Sequence, residues 1–328
     1  MLNYLRKLGL FLFPLLALYF VELFLLPMDF FAFRCWEALL IDDYRTIGVA
    51  GGFYPNHHLI RYEAGDRLGF RDPSPQKAEW ITDEFGFRNR PCERPPTQYD
   101  FVLLGDSNIV GSGLDQAETL SEVLARKGGC TVYSYGGGLP QKKFFWSDPR
   151  FCSHSPKTIV VEARPGEFYK AQCLPWISID SCELPRASMP MLPIWARVLI
   201  SRTNKQNMLQ FTKSRLRSAL YRNSQEPAEK DLPSKERVEF MVSKVLAMQK
   251  EAHRRGSEFI FFLMPTPDRS LDAGIVELRK KGVKTIAYLP TPKYKHGLDL
   301  DWYYQPRDSH WSKEAVELTA DEILKLTR

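Results

Sequence analysis

The stretch FVLLGDSNIVGSG, residues 101–113, decides how the rest of the chain is read. Four apolar residues run into Gly105, Asp106, Ser107 and Asn108. A short apolar run bounded by turn residues reads as a strand buried inside a parallel sheet. The segment after it, DQAETLSEVLARKGG, has helical spacing and a glycine stop. Ser107 therefore falls at a strand-to-helix turn. In open α/β sheets ligands bind at the carboxyl ends of the strands, where a following helix turns N–H groups toward charge. The position suits a nucleophile.

Outward from this strand, strand-like and helical runs alternate: FVLLG, then TLSEVLARKGG, CTVYSYGGG, TIVVEARP, SEFIFFLMPTP and KTIAYLP. The helical run SKERVEFMVSKVLAMQKEAHRRG precedes the fourth of these strands and again ends on glycine. Such alternation predicts an α/β fold, a doubly wound, flavodoxin-like parallel sheet of about five strands with helices on both faces. A section over about 174–233 breaks the alternation. Proline-rich early, basic in the middle and polar at NSQEPAEKDLPSKE, it reads as a helical insertion followed by a mobile loop. No internal repeat is visible.

At the other end, LGLFLFPLLALYFVELFLLP, Leu8 to Pro27, is almost wholly apolar, as long as a bilayer-spanning helix, and preceded by Arg6 and Lys7. Residues 1–28 are expected to form a single-pass anchor in the inner (cytoplasmic) membrane. The N-terminus then stays cytoplasmic, and the bulk of the chain lies in the periplasm or outside the cell. A cleaved signal peptide is the alternative, but the stretch is long for one and lacks a small-x-small cleavage site. Residues 29–96 follow as a juxtamembrane amphipathic helix, FFAFRCWEALL, and a loop-rich stretch containing GGFYPNHH and ITDEFGFRNRP. Residues 97–328 form the remaining domain.

The 328 residues have globular composition and a modest net charge of +6. The basic run RTNKQNMLQFTKSRLRSALYR reads as a solvated helix face, the alternative being a face toward anionic lipid or an anionic polymer, and no nucleic-acid partner is expected. Six cysteines fit an oxidising compartment, with Cys173 and Cys182 as a local candidate pair. Metal-ligand spacing and cofactor motifs are missing from the sequence, so neither a metal nor a cofactor is expected.

A nucleophilic serine needs a base to take its proton and a third group to orient that base. Among the six histidines, His310 stands out in QPRDSHWSKEAVELTADEIL, where a loop carrying Asp308 and His310 runs into the last helix. Asp308 can bond one ring nitrogen of His310 and leave the other for Ser107, giving a triad in the order Ser, Asp, His. The alternative is that this stretch only caps a helix, a role also open to Ser312. His57 and His58 lie in a Tyr/Pro/Asn/Gly-rich loop with no partner cluster to bind a metal and read as surface residues, not metal ligands.

GDSN after an apolar strand, with a late DSHW, resembles the SGNH (GDSL-type) hydrolase superfamily, and the D-x-H-W form resembles its alginate O-acetyltransferase-like branch. TDEFGFRN is similar to a segment of membrane-anchored members. The resemblance implies Ser107 as nucleophile, Asp308 and His310 as acid and base, and an oxyanion hole built from the N–H groups of Ser107 and Gly136. Where many members carry an oxyanion-binding asparagine, this chain has VVEARPGEFYK. Arg164 at that place is either a cationic donor, a holder of a sugar carboxylate or half of a surface ion pair, with Glu162 positioning it. Trp311 is either loop packing or a platform for a sugar ring.

Three functions follow. The first is a serine O-acyltransferase that passes an acetyl group from acetyl-Ser107 to a polysaccharide of the envelope or a secreted one, with a membrane-bound O-acyltransferase as the implied donor. The second is a carbohydrate esterase or deacetylase that uses water as acceptor. The third is a non-catalytic scaffold or glycan-binding subunit.

Overall fold

The computed structural model of the chain describes residues 51–53, 55–63, 76–92, 95–137, 145–146, 148–168, 234–265, 269–287 and 310–328, with single positions at 13, 14, 17 and 39. Among the described residues no helix is long and apolar enough to cross a membrane. The expected anchor falls outside them except at residues 13, 14 and 17, and the insertion at 174–233, Cys173, Cys182 and Asp308 lie outside them entirely. Cys152 is disulfide-bonded, and its partner is not among the described residues.

In chain order the elements are β1 (His58–Glu63), β2 (Gln76–Ile81), β3 (Phe101–Gly105), α1 (Ser107–Val110), α2 (Leu120–Gly128), β4 (Val132–Gly136), α3 (Pro149–Cys152), β5 (Thr158–Ala163), α4 (Ser234–Arg254), β6 (Glu258–Leu263), α5 (Asp272–Lys280), β7 (Lys284–Ile286) and α6 (Lys313–Thr327). Strands β3 to β7 form one sheet in the order β4-β3-β5-β6-β7, every pairing parallel. This is the flavodoxin-like order, and its switch point lies between β3 and β5. The strand after which Ser107 stands and the strand after which Arg164 stands are therefore the two that flank the switch point, where open sheets of this kind bind their ligands.

Strand alternation makes the sheet doubly wound. Val102, Leu104, Ile159, Val161, Phe259 and Phe261 turn to one face, under Met241, Val245 and Met248 of α4 and Ile275 and Leu278 of α5. Phe101, Leu103, Val160, Ile260 and Phe262 turn to the other, under Leu120 and Leu124 of α2 and Ala315, Val316 and Ile323 of α6. Each large side chain buried this way contributes about 1.5–3 kcal/mol of transfer free energy, so the frame that carries the site is set by apolar burial on both faces.

The helix expected over DQAETLSEVLARKGG forms from Leu120, and the single turn α1 and a 3-10 turn at Gln116–Glu118 separate it from Ser107, because Gly111 ends α1 in the left-handed conformation at φ 79°. One expectation needs correction: the stretch before residue 96 is not merely loop-rich. His58–Glu63 and Gln76–Ile81 pair as an antiparallel ribbon, whose charged residues interrupt the apolar alternation that marks a strand in sequence. GGF and EFGF lace together, with the Gly51 N–H on the Phe85 carbonyl at 2.9 Å and the Phe53 N–H on the Gly86 carbonyl at 3.0 Å. A Cβ at Gly51 would overlap the Gly86 carbonyl, so this approach requires glycine.

Asp83, Arg88 and Asn89 clamp this segment to the sheet. The buried Asp83 carboxylate accepts from the N–H groups of Phe85 (2.9 Å) and Phe87 (3.0 Å), the Asn89 amide (2.9 Å) and the Tyr133 hydroxyl (2.6 Å). Asn89 acts as one rung of an extra strand on the edge of β4: it accepts from the Ser134 N–H at 2.8 Å and donates to the Ser134 carbonyl at 3.1 Å. Arg88, 1% exposed, lies over the Trp80 ring and donates to the carbonyls of Glu79, Val110, Gly111 and Leu114 and to the Gln116 side chain. It gathers the loop just behind α1. Replacing Arg88 with methionine keeps the packing on Trp80 but removes every donor, leaving buried carbonyls that each cost about 1–3 kcal/mol. Arg88→Met is expected to lose about 3 kcal/mol or more in urea unfolding of the full chain, whereas a loss under about 1 kcal/mol contradicts the clamp.

Candidate active site

Ser107 opens α1 at the carboxyl end of β3, with Asp106 as the N-cap: its Oδ1 accepts from the Asn108 N–H at 2.8 Å. A Cβ at Gly105 would overlap Ile109 and the Glu162 carboxylate, so glycine lets the strand end lie directly under α1 and beside β5. From β5, the fully buried Glu162 accepts the Asp106 N–H on Oε2 at 2.8 Å. The turn that presents the serine is thus held from its own side chain and from the neighbouring strand.

His310 comes to the same place from the far end of the chain. Its Nε2 lies 2.8 Å from Ser107 Oγ, and the ring is 7% exposed. Two contacts set the approach. The Trp311 N–H donates to Asn108 Oδ1 at 3.2 Å, and Ser312 caps α6 by accepting from the Ala315 N–H at 3.1 Å. The Asn108 amide nitrogen in turn faces Asp106 Oδ1 at 3.1 Å and Met264 Sδ at 3.5 Å. One side chain thereby ties the residue after the nucleophile to the residue after the histidine. The sequence reading gave Asn108 no role. The available signal was its place beside Ser107 and an amide that both donates and accepts.

Arg164, two residues past Glu162, also reaches the nucleophile. Its Nη2 donates to Ser107 Oγ at 3.1 Å, and its Nε pairs with Asp106 Oδ2. Burial works against its charge, but Asp106, Glu162 and Glu167 outweigh that effect and hold the guanidinium above its ordinary pKa. Ser107 Oγ therefore sits between a ring nitrogen suited to take its proton and a cation that donates to it. Glu162 positions Asp106 by its backbone, rather than gripping Arg164 alone.

Other expected residues stand elsewhere. Trp311 is fully buried, its ring 5.4 Å from that of Phe262, so it packs the loop and cannot serve as a sugar platform. Gly136 is buried as well, and a Cβ there would come within 2.8 Å of the Val110 nitrogen. Ser134 turns its backbone to the open edge, onto Asn89, while the Gly137 N–H bonds the Gly105 carbonyl inside the sheet. Alternate residues of a strand turn these groups the same way, so Gly136 faces the edge and is a packing glycine, not an oxyanion donor. His57 bonds the Pro55 carbonyl and His58 pairs with Glu79, both away from Ser107. Asp308 lies outside the described residues.

No protein-family model matches the chain, and no curated protein matches it in sequence. Among solved structures it is similar to a lipolytic protein of the G-D-S-L family from Desulfitobacterium hafniense, at 13% identity and TM-score 0.38, covering 69% of this chain and 99% of that one. A carbohydrate esterase family 2 enzyme from Myceliophthora fergusii matches at 12% identity and TM-score 0.38, covering 77% and 70%. A family two carbohydrate esterase from Clostridium thermocellum matches at 9% identity and TM-score 0.38, covering 78% and 79%. At these identities and TM-scores the likenesses assign no chemistry to this chain.

The Asn108 tie carries its own prediction. Leucine at this position keeps the volume and removes all three side-chain bonds, the one to the Trp311 N–H among them, releasing the His310 loop. A displacement of about 1 Å in such a pair costs roughly 10²-fold. Reaction of Ser107 with an alkyl fluorophosphonate, followed by intact mass, is expected to slow by one to two orders of magnitude in Asn108→Leu. An unchanged rate contradicts the positioning role.

Proposed function

We propose that this chain is a serine-dependent O-acyl-transfer enzyme of SGNH type, in which Ser107 is the nucleophile and His310 the base. The observation that carries the reading is the 2.8 Å approach of His310 Nε2 to Ser107 Oγ at the carboxyl ends of the switch-point strands. With Nε2 unprotonated, it takes the hydroxyl proton as Oγ attacks an ester carbonyl. The tetrahedral intermediate collapses, His310 returns the proton to the leaving alcohol, and an acyl-Ser107 remains. In the second half an acceptor hydroxyl loses its proton to His310 and attacks the acyl carbon; the bond from that carbon to Oγ then breaks, His310 returns the proton to Ser107 Oγ, and the acceptor carries the acyl group away. Asp308, two residues before His310, is proposed to orient the imidazole and stabilise its cation.

Acetyl is the proposed acyl group, and a hydroxyl of an envelope or secreted polysaccharide the proposed acceptor. The support is the DSHW resemblance and the apolar, base-flanked stretch Leu8 to Pro27, which would place the enzyme at the outer side of the inner membrane. A membrane-bound O-acyltransferase is the proposed acetyl donor. With water as the acceptor the same machinery is an esterase or deacetylase. The two differ only in how the acceptor is held and water kept out.

The test uses the full chain and a chromogenic acetyl ester, with intact-mass detection of the adduct. The wild type is expected to release the chromophore and to carry an acetyl group on Ser107. Ser107→Ala and His310→Ala are expected to lose roughly 10⁴-fold or more in kcat/KM. Adding oligosaccharide then separates the acceptors: acetylated sugar marks the transferase, and acetate alone marks the esterase. Turnover that survives in Ser107→Ala contradicts the reading. A folded wild type with neither turnover nor adduct favours the scaffold.

A further inference from the structure

The Ser107 hydroxyl has two partners, and one is a cation. Arg164 donates to Oγ through Nη2 at 3.1 Å while Nε is held by Asp106. Asp106 is itself fixed, by the Glu162 carboxylate on its N–H and the Asn108 N–H on its Oδ1. The guanidinium is thus locked in place by the residue immediately before the nucleophile, using a planar fork that lysine does not have. Its side chain remains 48% exposed, so part of it is open to an incoming group.

A cation here can do one of two things: hold an anionic group of the substrate, or stabilise charge that develops on oxygen. Position decides between them. Asp106, with Glu162 and Glu167 nearby, keeps the guanidinium charged and in place, and Nη2 already lies 3.1 Å from Ser107 Oγ. When Oγ bonds the carbon of an ester, the new oxyanion forms two bonds from the atom Arg164 touches, within reach of the same donor. Of the two backbone donors expected from the sequence, Gly136 faces the sheet edge, whereas Arg164 already donates to Ser107 Oγ.

We infer that Arg164 is a catalytic residue that donates to Ser107 Oγ at rest and to the oxyanion of the tetrahedral intermediate as it forms; this rests on the serine acyl-transfer reading above. The proton of Ser107 passes to His310 Nε2 as the Oγ–C bond forms, and the carbonyl π pair moves onto oxygen beside Nη2. On collapse the pair returns, the bond to the leaving oxygen breaks, and that oxygen takes the proton from His310. Arg164 keeps its proton throughout. Donors placed where charge develops act without reorganising at the moment of reaction.

The test compares wild type, Ser107→Ala, Arg164→Ala and Arg164→Lys in the full chain, with thermal melts to check folding. Two readouts are taken: hydrolysis of the neutral ester p-nitrophenyl acetate, and phosphonylation of Ser107 by an alkyl fluorophosphonate, in which an O–P bond forms, fluoride leaves and His310 takes the proton. Arg164→Ala is expected to lower kcat and the phosphonylation rate by roughly 10²- to 10³-fold with little change in KM. Arg164→Lys is expected to fall between it and the wild type, and added guanidinium, well below denaturing concentration, to restore part of the Arg164→Ala rate. A raised KM with kcat retained, or a lost rate that guanidinium does not restore, overturns the catalytic role. So does an Arg164→Ala rate equal to wild type while Ser107→Ala is unreactive, and that outcome leaves the serine reading intact. A wild-type Ser107 that resists both reagents overturns the serine reading and this inference with it.

Discussion

The contact between Ser107 Oγ and His310 Nε2 joins two residues 203 positions apart, and the geometry of the site depends on it. Closing so long a loop is entropically unfavourable, and one hydrogen bond does not offset it. The parallel sheet does. Burial on both faces of β3, β5 and β6 fixes where the strands end, and α6 packs on the face of Leu103, Val160 and Phe262 through Ala315, Val316 and Ile323. The loop that feeds α6 then has little choice about where His310 lies. Asn108 completes the placement by taking the Trp311 N–H.

Behind the serine, a buried arginine solves a different problem. Loops that carry chemistry expose carbonyls, and buried carbonyls without donors are costly. Arg88 supplies donors to the carbonyls of Val110, Gly111 and Leu114 while its stem and plane pack on Trp80. Asp83 satisfies the turn from which Arg88 springs, and Asn89 covers the exposed edge of β4 at Ser134. An unpaired edge invites association with other chains. TDEFGFRN thus has a direct line, through Arg88, to the loop after the nucleophile.

Charge is arranged unevenly across the site. Asp106 accepts from Arg164 and gives its N–H to Glu162, and Arg164 and His310 both contact Ser107 Oγ. Buried Glu162 is tolerated because it accepts a backbone N–H and lies near a guanidinium. The same carboxylates keep Arg164 charged and occupied. One cluster therefore sets the position of the serine turn and the character of the cation that touches its hydroxyl.

The sequence alone determined the alternation of apolar strands and glycine-stopped helices, the placement of Ser107 at a strand end and of His310 before the last helix. Those features are local: periodicity of two or 3.6, turn residues and caps are written in consecutive residues. It did not reveal the β1–β2 ribbon, because charged residues such as Arg61, Lys77 and Glu79 dilute the alternation there. Nor did it reveal the work of Asn108, Arg88 and Asn89, the outward-facing backbone of Gly136 or the burial of Trp311. Each of these depends on a partner tens to hundreds of positions away. Only the tertiary structure decided that Arg164 touches Ser107, because strands β3 and β5 become neighbours through sheet order, and sheet order is settled by packing across the whole fold rather than by any one stretch of chain.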